Sequence, residues 1–308
     1  MFLIYGSAVL LWLSMITYAV LGGADFGGGI WDLLSPGPEQ ADKRQLIVKA
    51  LGPVWEANNV WLIYIVVGLY TAFPIVAATL ATALFIPLSL ALIGVVLRGA
   101  SFAFRTHFGG SIVPREAWGR AFGIASMITP FLFGTIAAAV ASGTIRIQHG
   151  QPPIASFGPW LSPFALTIGA MALALCATLA PVYLTVEAER IKNTELMNTF
   201  RTRAFIAAGV TAAFGLLGII QAPSAAPILW QGMLDHALWA VAVTMLLGVA
   251  MIVALFFRKF KLARLLSAFT TGALLGTWGL SQLPYILPPD LTVSAAASPP
   301  TTLREFLI

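Results

Sequence analysis

The first long apolar segment, Phe2–Trp31, reads FLIYGSAVLLWLSMITYAVLGGADFGGGIW. It exceeds the roughly 20 apolar residues that an α-helix needs to cross the hydrocarbon core of a membrane. Asp25 is its only charged residue. No basic region and no small-residue cleavage site mark a removable leader. The segment is therefore predicted to be a retained transmembrane helix.

The whole 308-residue chain has the same apolar character. Hydrophobic residues make up 59% of it and charged residues 9%, against about 25% charged residues in typical soluble proteins. A mean hydropathy of +0.89 leaves too few polar residues to cover a surface in water. The net charge of +5 comes from short basic clusters between apolar segments, which are typical of membrane topology signals. A lipid membrane is predicted as the surroundings, and no nucleic-acid partner is expected.

Seven further apolar segments follow, so the chain is predicted to be an all-α, polytopic transmembrane helix bundle with eight spans. No connection is long enough to enclose a separate core, so residues 1–308 are predicted to form a single integral membrane domain. After a polar tail that begins at Pro284, Leu303–Ile308 has the character of another apolar or amphipathic start. The predicted spans are Phe2–Trp31, Val54–Phe73, Ile75–Phe104, Ala121–Ser142, Pro163–Val186, Phe205–Gln221, Leu234–Phe257 and Leu265–Leu283.

The basic residues fall almost entirely on one side of this topology. Of the 17 lysines and arginines, only Arg146 and Arg304 are predicted on the other side. Basic residues in short loops mark the cytoplasmic side, so the N-terminus is predicted to lie outside the cytoplasm. The clusters are Lys43, Arg44 and Lys49; Arg98, Arg105, Arg115 and Arg120; Arg190, Lys192, Arg201 and Arg203; and Arg258, Lys259, Lys261 and Arg264.

Asp25 is one of two carboxylates with possible chemistry. A charged group inside a span costs about 2.5 to 3.5 kcal/mol on insertion scales, so its presence needs a reason. The surrounding glycines, among them Gly27 and Gly29, permit the close approach of a neighbouring helix or a ligand. Two interpretations stay open: a proton-relay or interface carboxylate, or an aspartate that hydrogen-bonds inside the bundle and fixes its packing.

The second carboxylate, Glu56, lies in the sequence GPVWEANNVW. Pro53 suits the first turn of a helix, which predicts that Glu56 is a first-turn acid interacting with the helix dipole. The tryptophan and asparagine residues around it make a polar cluster at the cytoplasmic interface, which favours a point of proton access. Interfacial anchoring is an equally good explanation for Trp61. The other residues of this candidate site are Trp55 and Asn58.

Candidate cofactor ligands are sparse. His107 and His149 are predicted in loops, and His236 lies beside Asp235 at the outer edge of the seventh span. Because haem inside a helix bundle is commonly held by His or Met, this chain alone is not expected to bind haem. The single Cys176 offers no disulfide and no Cys-based metal site. No phosphate-binding glycine motif, paired-His zinc motif or nucleophile elbow is found, so hydrolytic or kinase activity is not expected.

Two motifs resemble subunit II of the cytochrome bd-type quinol oxidases. One is Asp25-Phe26-Gly27-Gly28-Gly29 after the first span, and the other is Gly52–Leu62, with its more specific pattern Trp-acid-x-Asn-x-Val-Trp. The segment Thr71–Pro74 is also similar to this family, as is Arg98 together with Phe102 and Arg105. The similarity extends over essentially the whole chain.

The resemblance implies a respiratory complex of the bacterial cytoplasmic (inner) membrane that oxidises quinol and reduces dioxygen to water. In this family, subunit I carries haem b, haem d and the quinol-oxidising loop. Subunit II resembles it in fold, holds no haem and helps to form a proton route from the cytoplasm. By motif, Trp55 and Glu56 match the aromatic residue and the acid at the proposed proton access, and Asp25 matches the acid of the first helix. Arg98 and Arg105 would serve structure or the interface.

The sequence departs from the family pattern at two points. Many relatives have a second acid where this chain has Gly22, and the family typically has nine spans where eight are predicted here. Two explanations stay open for the ninth span: loss by truncation, or a shorter variant of the family. The spacing Gly22-Gly23-Ala24-Asp25 suggests a divergent branch, for which it stays open whether the partner holds haem d.

Two other functions stay open. The main alternative is a proton-coupled secondary transporter, since intramembrane acids and glycine-broken helices also suit a carrier. Both acids are predicted toward the cytoplasmic face rather than the membrane midplane, which favours the oxidase. A scaffold with no role in proton delivery is the third possibility.

Overall fold

The computed structural model describes the backbone of residues 1–35, 40–107, 115–147 and 153–308, and the side chains of these ranges except 40–45, 48–56, 105–107 and 115. Within these residues the chain forms twelve helices and one two-stranded antiparallel hairpin. The eight long helices are α1 (Phe2–Leu33), α2 (Gln40–Ala72), α4 (Phe85–His107), α5 (Arg115–Ala141), α7 (Pro163–Arg190), α8 (Thr194–Ala225), α10 (Leu238–Phe256) and α11 (Phe260–Gln282). The short elements are α3 (Pro74–Ala83), α6 (Gly158–Leu161), α9 (Pro227–Asp235), β1 (Tyr285–Leu287), β2 (Leu291–Thr292) and α12 (Pro300–Leu307).

The all-α membrane bundle is confirmed, and each predicted span overlaps one of the eight long helices. Among the described residues, six helices are long and apolar enough to cross a membrane: α1, α4, α5, α7, α8 and α10. A seventh span is reached if Ala57–Ala72 and the bent α3 are counted together. The remaining long helix, α11, has the length of a span but is less apolar than these six.

The predicted third span, Ile75–Phe104, is divided in the structure. Pro74 begins α3, which bends away from α2 by 116°. A second break separates α3 from α4 at Leu84. Pro87 explains this break, because a proline ring clashes with the carbonyl four residues earlier, here Ala83, the last residue of α3. The predicted span is therefore a short bent helix followed by a membrane-length one.

Three other predicted boundaries are also wrong. Helix α2 begins at Gln40 and passes through Pro53, so Glu56 lies inside the helix and is not a first-turn acid. The dipole interpretation of Glu56 is therefore wrong. The predicted seventh span starts too early, because α9 ends at Asp235 and α10 begins at Leu238. The predicted sixth span, which began at Phe205, starts too late, because α8 begins at Thr194.

The segment after α11 folds back onto the bundle. Ser298 donates its backbone N–H to the Ala72 carbonyl at 2.9 Å and its hydroxyl to the Thr71 carbonyl at 2.7 Å. Phe306 of the amphipathic α12 stacks on Tyr64, with 5.8 Å between ring centroids. The hairpin and α12 thus cover the ends of α1 and α2 on the side where the chain begins.

Helix α1 lies at the centre of the bundle and packs against α2, α5, α7 and α11. Its second half is buried continuously from Gly22 to Ile30. Glycine is required at Gly27, where a Cβ atom would overlap the Cys176 carbonyl oxygen of α7. Such close backbone approach is the usual use of small residues between membrane helices.

Candidate functional site

A buried ion pair between α1 and α4 forms the centre of the candidate site. The side chains of Asp25 and Arg98 are 5% and 3% exposed. Arg98 Nη1 donates to Asp25 Oδ2 at 2.6 Å, and Arg98 Nη2 lies 2.6 Å from Asp25 Oδ1. Nη2 also donates to the Asp25 carbonyl oxygen at 3.1 Å. This bidentate arrangement is the strongest form of a guanidinium–carboxylate contact.

A third helix completes the surroundings of Arg98. Its Nε donates to the Ser126 hydroxyl of α5 at 3.0 Å, and Ser126 donates in turn to the Phe122 carbonyl at 2.7 Å. The guanidinium carbon lies 4.8 Å from the centre of the Phe26 ring and 4.7 Å from that of the Phe122 ring. Aromatic faces attract a cation and exclude water from it. The pair therefore joins α1, α4 and α5 in a site that is buried inside the bundle.

Glycines in α1 allow the neighbouring helices α2 and α5 to pack closely against it. At Gly29 a Cβ atom would overlap the Ser126 hydroxyl, so a larger residue would displace the group that holds Arg98 Nε. Two turns before Gly29, a Cβ atom at Gly22 would lie 2.9 Å from the amide of Asn58 on α2. The predicted interface role of Gly27 and Gly29 rests on the same close approach.

The residues of the second motif are only partly described. The side chains of Trp55, Glu56 and Arg105 lie outside the described part of the structure. Asn58 is buried at 2% exposure, and its Oδ1 has no hydrogen-bond partner among the described residues. Trp61 is half-buried, with its ring centroid 6.4 Å from that of Tyr64.

The backbone nevertheless places Glu56 near the level of Asp25. Helices α1 and α2 run in opposite directions, and Gly22 faces Asn58. Each helical residue advances about 1.5 Å, so Asp25 lies about 4.5 Å beyond Gly22, and Glu56 lies about 3 Å from Asn58 in the same direction. The two motifs therefore meet across the α1–α2 contact.

Two features of the site were not predicted from the sequence. The resemblance implied a structural or interface role for Arg98, but the topology argument grouped it with the basic loop residues. Its burial inside α4 and its pairing with Asp25 were not predicted. Ser126 was not singled out, because a serine in an apolar helix usually satisfies itself on the preceding turn. The only signal for the pairing was the presence of opposite charges in two predicted spans.

Candidate metal and haem ligands are sparse in the part of the chain that is described. Within it, no group of three or more His, Cys, Asp or Glu side chains could hold a metal ion. His236 lies in the connection between α9 and α10, and its Nε2 is 2.8 Å from the Leu280 carbonyl oxygen. Cys176 is a buried free thiol in α7. His107 and His149 fall outside the described side chains.

Comparison with known proteins places this architecture in a family. The cytochrome bd terminal oxidase subunit II family matches residues 3–308. The putative cytochrome bd menaquinol oxidase subunit II of Bacillus subtilis (strain 168) is 24% identical, over 96% of this chain and 87% of that protein. Cytochrome bd-I ubiquinol oxidase subunit 2 of Escherichia coli (strain K12) is 22% identical, over 94% and 82%.

A solved structure has the same fold. One chain in the structure of bd oxidase from Geobacillus thermodenitrificans superposes with a TM-score of 0.82 at 23% identity, covering 100% of this chain and 92% of that one. At this identity the likeness shows the fold alone, whereas the family match extends over nearly every residue. The chain belongs to the cytochrome bd terminal oxidase subunit II family.

Proposed function

We propose that this chain is the haem-free subunit II of a cytochrome bd-type complex that oxidises quinol and reduces dioxygen to water. Its partner would be subunit I, which would carry haem b and haem d and the catalytic chemistry. The complex would lie in the bacterial inner membrane, with the N-terminus of this chain on the outer side. The observation that carries the proposal is the family match over residues 3–308.

In this proposal the Asp25–Arg98 pair has a structural role. Both carboxylate oxygens are engaged by one guanidinium, and two aromatic rings cover that guanidinium. Removing either charge would leave the other buried without compensation, which is costly in a low-dielectric interior. The pair would hold α1, α4 and α5 in the arrangement that the partner subunit contacts.

Proton access is assigned in this proposal to Glu56 rather than to Asp25. Glu56 lies in the interior of α2, on the motif that includes the buried Asn58, whose Oδ1 has no hydrogen-bond partner among the side chains that the structure describes. A buried amide oxygen of this kind is suited to accept a hydrogen bond from a water molecule. A carboxyl group and a hydrated amide two residues apart along α2 would provide two positions of a proton route from the basic end of the bundle.

The assembly is tested by co-purification. The tagged chain, expressed in its own host membrane and solubilised in mild detergent, should bring down a second polypeptide with haem absorbance and quinol-dependent oxygen consumption. A stable, colourless chain without a partner would refute the oxidase role. Proton-driven solute uptake by that lone chain in vesicles would support the transporter instead.

The role of Glu56 is tested in the assembled complex. Glu56→Gln should slow quinol-dependent oxygen reduction while the haem spectrum stays unchanged, because the carboxyl group is lost and the partner's haems are untouched. Glu195→Gln, at an exposed acid in the first turn of α8, is the matched control and should leave turnover unchanged. Normal turnover in Glu56→Gln would reduce Glu56 to a structural residue.

A further inference from the structure

Two short turns at one end of the bundle have the same construction. Residues 191–193 join α7 to α8, and residues 257–259 join α10 to α11. In each, a backbone N–H bonds the carbonyl five residues earlier: Asn193 to Ala188 at 3.0 Å, and Lys259 to Ala254 at 2.9 Å. This pattern is the helix-ending motif whose penultimate position normally holds glycine in a left-handed conformation.

Both turns have a cation at that left-handed position. Lys192 has φ 55° and Arg258 has φ 57°, and no other non-glycine residue in the described ranges has a positive φ. A side chain is disfavoured in this conformation, and glycine is the residue that avoids the strain. Two cations at equivalent strained positions therefore indicate that the side chains themselves have a role.

The turns follow directly on α7 and α10, which are long and apolar enough to cross a membrane, so they are expected near the level where lipid headgroups meet the hydrocarbon. Each turn contains only three residues, so it stays close to the ends of the helices that it joins. Of these helices, α7, α8 and α10 are membrane-length and apolar. The residue before each cation is apolar and exposed: Ile191 at 50% and Phe257 at 65%. An exposed apolar side chain next to a cation is typical of residues at a membrane interface.

The two turns are connected and carry uncompensated positive charge. Arg201 of α8 donates to the carbonyls of Leu255 and Phe256 at 2.9 Å each, which ties α8 to the end of α10. Residues 187–203 and 258–264 contain eight basic and three acidic side chains. Of the acids, Glu187 lies within 4 Å of Arg190 and of Arg264. Among the described residues, the following cations have no ion-pair partner: Lys192, Arg258, Lys259 and Lys261.

We propose that these two turns bind the phosphate headgroup of an anionic phospholipid, with Lys192 and Arg258 as its principal contacts. Basic pockets between membrane helices are suited to anionic headgroups. The exposed Ile191 and Phe257 favour a lipid over free phosphate, because an acyl chain offers them an apolar neighbour. This inference does not depend on the haem content or on the catalytic role of the complex.

The left-handed geometry supplies a test that separates lipid binding from folding. Lys192→Gly combined with Arg258→Gly removes both cations and installs the residue that the backbone prefers. Without added lipid, the purified complex should melt at the same temperature as the unaltered complex, or higher. Its affinity for phosphatidylglycerol, measured by native mass spectrometry of the complex in detergent, should fall by about 30-fold.

Cations at the opposite end of the bundle provide the control for this test. Arg146→Gln combined with Arg304→Gln removes two cations there and should preserve phosphatidylglycerol binding. Lys192→Asn with Arg258→Asn repeats the test with another residue that tolerates the left-handed conformation. Unchanged binding in both turn variants would overturn the proposal, as would an equal loss in the control. Equal stabilisation of the complex by inorganic phosphate or by phosphatidylcholine would also overturn it.

Discussion

The Asp25–Arg98 pair should behave as one energetic unit. Asp25→Asn leaves the Arg98 guanidinium at 3% exposure between two aromatic rings, buried without its counterion. Breaking a buried pair in this way costs about 3 to 5 kcal/mol, and Arg98→Gln should cost a similar amount. In the double variant Asp25→Asn/Arg98→Gln no charge remains buried, and two neutral amides face each other. Its cost should fall short of the sum of the single costs by about 3 kcal/mol.

The assay is equilibrium unfolding of the purified complex in mixed micelles, with increasing SDS and tryptophan fluorescence as the readout. The chain has nine tryptophans, so its unfolding can be followed without any cofactor signal. Each single variant should also accumulate to a lower level in the membrane than the double variant. Single costs below about 1 kcal/mol, or costs that add within about 0.5 kcal/mol, would refute the pairing as a source of stability.

Two further substitutions test the packing and the surface charges. Gly27→Ala should destabilise the chain by about 1 to 3 kcal/mol, because its Cβ would push α1 away from the Cys176 carbonyl. Gly276→Ala is the matched control and should be neutral or stabilising in the same assay, because a Cβ atom at Gly276 would meet no atom of a neighbouring element within 4 Å. Equal effects would contradict the close-approach argument. Arg146→Gln should cost less than about 1 kcal/mol, because Arg146 is 57% exposed in its pair with Asp290. A larger loss on thermal unfolding, insensitive to salt, would show that the pair is not a solvated surface contact.

The spans could be predicted because burial in lipid demands a simple one-dimensional pattern. An apolar run of sufficient length is nearly enough to identify a helix such as α7 or α8. This signal fails where a helix continues into polar sequence. For this reason the predicted start of α2, Val54, is 14 residues later than its actual start at Gln40. The break at Leu84 was encoded by Pro87, but the continuous apolar composition around this proline concealed it.

The site was less accessible to sequence reasoning because its contacts are distant along the chain. Asp25 and Gly27 could be singled out, since a charge and clustered glycines in a span are both unusual. The contacts that they make could not be predicted, because Arg98 is 73 residues away from Asp25 and Cys176 contributes only a backbone carbonyl. The periodicity of a sequence does not indicate which helices contact each other, so the pairing of Arg98 with Asp25 could be recognised only from the structure.

The separation between the two charged residues also affects the order of events during synthesis. The ribosome delivers Asp25 well before Arg98, so α1 reaches the insertion machinery while its carboxylate has no counterion. A lone aspartate at that depth opposes insertion by about 2.5 to 3.5 kcal/mol, whereas the apolar first two-thirds of α1 favour it. Helix α1 is thus expected to remain loosely held at the insertion machinery until α4 emerges, and the arrival of Arg98 would then commit both helices to the bilayer together.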